Sequence, residues 1–199
     1  MITTIAKFTK RSKSVWMRFS IDKTWTLFLD RDGVINVRLI DDYVKIPEDF
    51  TFIEGVPEAI RDLSSKFGRI VVVTNQQGIG KGLMTESDLE NVHNKMLAEI
   101  SKVGGNIDKI YFSPFKKEEN NITRKPQIGM ALQARKDFPE INFKKSVMIG
   151  DSISDIIFGK KLKMKTVFVS DDLDLINKNF RIIDFTVKSL YEFSEKINF

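Results

Sequence analysis

Residues 25–36 read WTLFLDRDGVIN, an apolar run that stops at two aspartates, Asp30 and Asp32, and turns at Gly33. The run Trp25 to Leu29 has strand length and no strict polar alternation, which suits a strand covered on both faces, as in a parallel sheet. Four further runs share this character: Ile70 to Val73, Ile110 to Phe112, Val147 to Ile149 and Thr166 to Val169. Helical spacing fills the gaps between them. Pro57 suits a first helical residue, and Ala59, Ile60, Leu63 and Phe67 follow it at helical intervals. Thr85 reads as an N-cap with Asp88 three residues on. A stripe of Leu89, Val92, Met96, Leu97, Ile100 and Val103 then runs to Gly104 and Gly105. Further helices are expected from about Gln127 to Asp137, Ile153 to Lys161 and Lys188 to Lys196. Strands and helices alternating over the whole length predict an α/β fold. The expected form is a single doubly wound parallel sheet, Rossmann-like, with helices on both faces and right-handed crossovers.

The composition fits that architecture. The chain has 199 residues, 42% hydrophobic and 30% charged, the makeup of one globular domain with no repeat and no linker. It has no cysteine, which excludes disulfides, thiolate zinc sites, iron–sulfur clusters and cysteine nucleophiles together. The net charge of +5 is carried by Lys7, Lys10, Arg11, Lys13, Arg18 and Lys23 against Asp22, so residues 24–199 balance to zero. The expected organisation is therefore a basic, loosely ordered leader over 1–23 and one domain over 24–199, with Met17 as a second candidate start. A balanced domain surface argues against a nucleic-acid partner. No window approaches 18 consecutive apolar residues, and the leader has no signal-peptide core, so no membrane partner is expected and the chain is placed in the cytoplasm. It is expected to act as a monomer.

In a doubly wound sheet, ligands bind outside the carboxyl ends of the strands. Three such ends carry the polar residues of interest: Asp30-Arg31-Asp32-Gly33, Thr74-Asn75-Gln76-Gln77, and Gly150-Asp151-Ser152-Ile153-Ser154-Asp155. Four carboxylates in one crevice raise each other's pKa values unless a cation is bound. Oxygen ligands and a phosphate substrate point to Mg²⁺. Asp155 either orients this site or caps the helix that begins near Ile153. His93, the only histidine, falls on the apolar stripe of its helix and is read as packing. One histidine and no cysteine can form neither a Ser-His-Asp triad nor a histidine-rich metal site. The string Gly78-Ile79-Gly80-Lys81-Gly82 lacks the Ser or Thr that a P-loop needs after its Lys, and reads as a flexible rim of the crevice.

Asp30-x-Asp32-Gly33, Thr74-Asn75, Lys125-Pro126 and Gly150-Asp151-x-x-x-Asp155, in that order, resemble the four motifs of the haloacid dehalogenase-like phosphatases. The longer strings FLDRDGVIN, VVVTNQQGIGKG and RKPQIGM are similar to the heptose bisphosphate and histidinol phosphate phosphatase branch. The resemblance runs from about Thr26 to Val169. It implies that Asp30 attacks phosphorus and forms an aspartyl-phosphate, with Asp32 as general acid and base. It implies Mg²⁺ held by Asp30, the Asp32 main-chain carbonyl and Asp151, with Asp155 supporting. Lys125 and Thr74 would contact the transferring phosphoryl oxygens, Asn75 and Gln76 the substrate, and Arg124 a second anionic group.

The implied activity is removal of the 7-phosphate of D-glycero-D-manno-heptose 1,7-bisphosphate, a small phosphorylated sugar, for nucleotide-heptose synthesis. Histidinol phosphate is the rival substrate. A nucleic-acid 3′-phosphatase and a non-catalytic anion-binding domain are further readings. Two departures from the branch stand out. Relatives often fold the segment Ser113 to Arg124 around zinc, but here it has no cysteine or histidine, so no zinc is expected. Relatives also often carry Lys after the fourth-motif Asp, where this chain has Ser152. About 40 residues separate Asp32 from Thr74 and about 50 separate Asn75 from Lys125, too few for a cap domain. The crevice is then shaped by the loops Asn36 to Lys45 and Ser113 to Arg124.

Overall fold

In the computed structural model, which describes residues 20–197, the WTLFL run forms β1 (Thr26–Leu29) at the centre of one six-stranded sheet. On one side lie β2 (Arg69–Asn75) and β3 (Lys109–Ser113). On the other lie β4 (Ser146–Gly150), β5 (Lys165–Val169) and β6 (Phe185–Val187), in the order β3-β2-β1-β4-β5-β6. Every pairing is parallel, with Leu27 opposite Ile70 on one side and Val147 on the other. The helices are α1 (Val56–Lys66), α2 (Gln77–Gly80), α3 (Glu86–Lys102), α4 (Gly129–Asp137), α5 (Ile153–Lys161), α6 (Leu173–Asn179) and α7 (Leu190–Lys196).

Strand alternation sorts the helices onto two faces. Leu27 and Leu29 pack with Ile60 and Leu63 of α1, Met96 of α3 and Leu190 of α7. Phe28 points the other way, into a cluster with Met130 and Ala134 of α4 and Phe158 of α5. Ile156 and Phe168 meet Ile176 of α6 in a smaller cluster on α5 and β5. Each of these large apolar side chains is nearly or fully buried, worth about 1.5–3 kcal/mol apiece. Thr85 caps α3 as its sequence suggests, with Oγ1 accepting from Asp88 N at 3.1 Å and Asp88 reaching back to Thr85 N at 2.8 Å.

The differences from the sequence reading have local causes. β6 and α6 were not expected, because a three-residue strand and a seven-residue helix are too short to show a period. β6 is fixed by side-chain bonding instead: Asp184 Oδ2 accepts from Thr166 N at 2.9 Å and from Lys160 Nζ at 2.7 Å. α4 starts at Gly129, not Gln127, because the preceding residues turn, with Gln127 N bonded to Arg124 O and Gly129 N to Ile122 O. α7 starts after Ser189, whose Oγ accepts from Glu192 N. The rim Gly78 to Gly82 contains the one-turn helix α2.

Most of the basic leader, with Met17, lies outside the described residues. Of its described end, Ile21 packs against the core and Lys23 Nζ donates to Ser64 O and Phe67 O at the carboxyl end of α1. No helix among the described residues is long and apolar enough to cross a membrane. The chain runs outward from β1 through β2 to β3, then returns to place β4 on β1's other side. The carboxyl ends of β1 and β4 therefore diverge and leave a crevice between them.

Candidate active site

Asp30 is the first residue past β1 and keeps the strand's register, its N–H donating to Ile149 O of β4 at 2.9 Å. Its Oδ1 accepts from Arg31 N at 2.7 Å and lies 2.9 Å from Lys125 Nζ. The chain then turns sharply, with Ile35 N bonded to Arg31 O and Gly33 N to Asn36 O. Gly33 is required twice over. Its φ is +87°, and a Cβ there would sit 2.1 Å from Asp151 Oδ2.

Asp151 and Asp155 come from the end of β4 and the first turn of α5. Asp155 caps its helix and also pairs with Lys125. Its Oδ2 accepts from Ser152 N at 3.0 Å and Ser152 Oγ at 2.6 Å, capping α5, while its Oδ1 lies 2.6 Å from Lys125 Nζ. Lys125 precedes a cis Lys125–Pro126 peptide, and Asn75 brackets its backbone. Asn75 accepts from Lys125 N at 2.9 Å and donates to Lys125 O at 3.2 Å. Asp30, Asp151 and Asp155 each offer an oxygen within 4.8 Å of the others'.

Burial pushes the Asp30 carboxyl well up, the charge of Asp155 adds to this, and Lys125 opposes it. Asp151 is raised by burial and then by Asp155, with Arg38 opposing. For Lys125, burial is outweighed by Asp155 and Asp30, which raise its pKa and keep it cationic. Three carboxylates against one buried ammonium leave the cluster short of positive charge. Asp151 Oδ1 is buried with no hydrogen-bond partner. A hard divalent cation fits both observations. Arg38 Nη1, 3.2 Å from Asp151 Oδ2, is 63% exposed and offsets little.

The Asp32 carboxylate does not join this cluster and is held by other partners. Its Oδ1 accepts from Arg31 Nη2 at 2.9 Å and Asn36 Nδ2 at 3.0 Å, and its Oδ2 from Gln76 Nε2 at 2.9 Å. Burial would raise its pKa, but the Arg31 charge and these hydrogen bonds outweigh it and hold the carboxyl below its ordinary value. Gln76, expected to touch substrate, is turned inward instead. It is 1% exposed, and its amide nitrogen is spent on Asp32 and on Thr74 Oγ1 at 2.8 Å. Thr74 and Asn75 do reach the wall of the cleft.

The cleft has a volume of about 680 Å³. Asp30, Asp32, Thr74 and Asp151 are among its lining residues, and among the described residues no inserted domain lies between β1 and β4. The loop from Arg38 to Val44 supplies much of the rest. Tyr43 Oη in that loop accepts from Gln77 Nε2 and Lys81 Nζ, each at 3.0 Å, which ties the loop to α2. From the segment 113–124 only Arg124 lines the cleft, its Nη1 donating to Phe115 O at 2.9 Å. Side-chain bonds shape that segment: Thr123 Oγ1 donates to Ser113 Oγ at 3.0 Å, and Asn121 Oδ1 accepts from Thr123 N. It contains no cysteine or histidine to bind zinc.

Sequence reasoning put the loop Asn36 to Lys45 and the rim Gly78 to Gly82 at the crevice, where Arg38, Tyr43 and Lys81 do line the cleft, but it singled out none of the three and gave Arg31 no role. Arg31 is fully buried, with Nη1 3.1 Å from His93 Nε2. The available signal was His93 itself, since a polar ring on an apolar stripe needs a buried partner.

Residues 19–190 match the family described as polynucleotide kinase 3 phosphatase. The chain is 39% identical over 150 residues to the D-glycero-alpha-D-manno-heptose-1,7-bisphosphate 7-phosphatase of Campylobacter jejuni, spanning 75% of this chain and 84% of that one. It is 39% identical over 140 residues to the D-glycero-beta-D-manno-heptose-1,7-bisphosphate 7-phosphatase of Helicobacter pylori, spanning 70% and 79%. The crystal structure of D,D-heptose 1,7-bisphosphate phosphatase from B. bronchiseptica, complexed with magnesium and phosphate, aligns with a TM-score of 0.79. That alignment covers 87% of this chain and 97% of the other at 24% identity, a likeness of fold.

Proposed function

The chain belongs to the polynucleotide kinase 3 phosphatase family of haloacid dehalogenase-like phosphatases, and from that premise we propose that it removes the 7-phosphate of D-glycero-D-manno-heptose 1,7-bisphosphate in a Mg²⁺-dependent reaction. The observation that carries the reading is the position of Asp30. It shares the Lys125 ammonium with Asp155 and gathers with Asp151 and Asp155, in a cleft that also presents Lys81 and Arg124. One end suits a transferring phosphoryl group and the cations suit a second anion. The relatives from Campylobacter jejuni and Helicobacter pylori, named for opposite anomers, match equally well.

In the first step an Asp30 carboxylate oxygen attacks phosphorus in line. The bond from phosphorus to the C7 oxygen breaks, its electron pair leaves on that oxygen, and the proton of the Asp32 carboxyl goes to it. In the second step water attacks the aspartyl-phosphate, its proton passes to Asp32, and the pair of the breaking P–O bond returns to Asp30. The hydrogen bonds converging on Asp32 suit its ionised form, the state that receives the water's proton. Lys125 and Thr74 donate to the phosphoryl oxygens through both steps, with Asp155 and Asn75 holding Lys125 in place. Asp30, Asp151 and the Asp32 carbonyl would hold a Mg²⁺ ion, whose charge would let an anionic substrate approach a carboxylate nucleophile. Arg124 is assigned to the second phosphate, which its planar fork suits.

The test measures phosphate release from both anomers of the heptose bisphosphate, from histidinol phosphate and from a 3′-phosphorylated oligonucleotide, with Mg²⁺ and with chelator. A Mg²⁺-dependent preference for a heptose of about tenfold or more in kcat/KM, about 1.4 kcal/mol, is expected. A preference for either other substrate overturns the assignment of the sugar and leaves the chemistry in place.

A further inference from the structure

Arg31 is a costly residue to bury. Its guanidinium is wholly inaccessible to solvent, and taking such a charge out of water costs several kcal/mol unless it is paired and hydrogen-bonded. Its ion-pair partner is its neighbour Asp32: Nη2 lies 2.9 and 3.0 Å from the two carboxylate oxygens, and Nε lies 3.3 Å from Oδ1. A guanidinium hinged only on its neighbour's carboxylate is free to swing. The third contact stops it: Nη1 lies 3.1 Å from Nε2 of His93, on α3, 62 residues away in the chain. His93 is 7% exposed, and burial followed by the Arg31 charge depresses its pKa to about 3, so the ring is neutral and its Nε2 lone pair faces the guanidinium. An apolar residue would pack on the stripe of α3 equally well, but it could not accept this bond.

We propose that His93 is a positioning residue of the reaction, fixing the Arg31 guanidinium so that it holds the Asp32 carboxylate towards the cleft in the orientation that receives a proton from water. Asn36 and Gln76 supply one hydrogen bond to each oxygen, and the Arg31 fork sets the plane of the group. The assignment rests on the phosphatase reading and on Asp32 as its acid and base. It predicts which half of the reaction suffers. Phosphorylation of Asp30 by an ester with a good leaving group needs no proton from Asp32, whereas hydrolysis of the aspartyl-phosphate needs Asp32 as base in either case.

The experiment uses the full Mg²⁺-loaded chain and p-nitrophenyl phosphate, followed from the first turnover. His93→Leu is expected to release about one p-nitrophenolate per site in a burst and then turn over about tenfold more slowly than wild type, with KM falling in step so that kcat/KM stays within about twofold. His93→Gln, whose amide oxygen can accept from Arg31, is expected to restore the steady rate to within about threefold. His93→Asn, polar but too short to reach, takes the place of the Leu variant if that protein does not melt cooperatively, with the same slow rate expected. A folded Leu or Asn variant that turns over like wild type overturns the assignment. So does a Gln variant as slow as Leu, or a loss in which the burst slows together with the steady rate. A wild type that releases no p-nitrophenolate overturns the phosphatase reading and this assignment together, so the two failures are told apart.

Discussion

Asp155 Oδ1 lies 2.6 Å from Lys125 Nζ, and almost no solvent reaches either side chain. The pair joins the first turn of α5 to the segment entering α4. It also sets where Lys125 stands beside Asp30. Removing one partner of a buried pair strands the other's charge, which typically costs about 3–5 kcal/mol. Asp155→Ala additionally removes the cap on Ser152. We expect this variant to lose about that much stability in urea denaturation and to turn over at a small fraction of the wild-type rate even where it remains folded.

Asp30→Asn keeps the size of the side chain and replaces the proposed nucleophilic carboxylate with a neutral amide. Turnover should fall to the level of a no-enzyme blank while circular dichroism and the melting transition stay cooperative. Residual activity with an acid-stable phosphoenzyme would move the nucleophile elsewhere.

Gly33→Ala tests the metal site through its backbone. A Cβ at this position would lie 2.1 Å from Asp151 Oδ2 and would be held at a positive φ, so Asp151 must move. Isothermal titration with Mg²⁺ should show affinity weakened by about tenfold or more, about 1.4 kcal/mol or above. Wild-type affinity in this variant would mean that Asp151 is not a ligand.

Arg124→Ala should erode discrimination between bisphosphate and monophosphate sugars, with kcat/KM on the bisphosphate falling about tenfold further than on the monophosphate. Equal losses on both would place Arg124 in the shape of the segment 113–124, through its bond to Phe115 O, and not in recognition.

His93 also makes stability depend on pH. In the unfolded chain it titrates near 6.5, but folded it resists protonation until about pH 3. Between those values the unfolded state binds a proton that the folded state does not, so stability falls as pH drops through 6.5, by at most about 1.4 kcal/mol per unit. Between pH 7 and pH 4.5 the wild type should lose about 2 kcal/mol more than His93→Gln. Urea midpoints of both proteins at the two pH values measure it, the shared carboxylate contributions cancelling in the difference.

Much of this molecule was legible in the chain, for identifiable reasons. β1, β2, β4 and β5 are buried on both faces and leave continuous apolar runs, and the partly exposed edge strand β3 keeps a short one from Ile110 to Phe112. α3 shows its start through Thr85 and Asp88 and its face through Leu89, Val92, Met96 and Ile100. The carboxylates could be placed because strand ends in a doubly wound sheet face one crevice. What was not legible depends on contacts between residues distant in sequence. β6 is three residues long and is specified by Thr166 and Asp184 rather than by its own pattern. Gln76 looks like a substrate contact until the turn after β2 aims its amide at Asp32. Arg31, between two aspartates, carries no sign of burial in its own sequence, and its contact with His93 of α3 is made by residues 62 apart.

The crossover that places β4 beside β1 has a consequence for how the protein acquires activity during synthesis. The proposed nucleophile emerges early, at residue 30, but the carboxylates and the lysine that gather with it lie between residues 125 and 155. Until β4 docks, Asp30 stands on what is still an edge strand, with its register to Ile149 unmade. An emerging polypeptide of about 120 residues therefore carries every part of the first two motifs and no working centre. Competence arrives in one step, with the strand that closes the middle of the sheet, so truncated products should be catalytically silent rather than partially active.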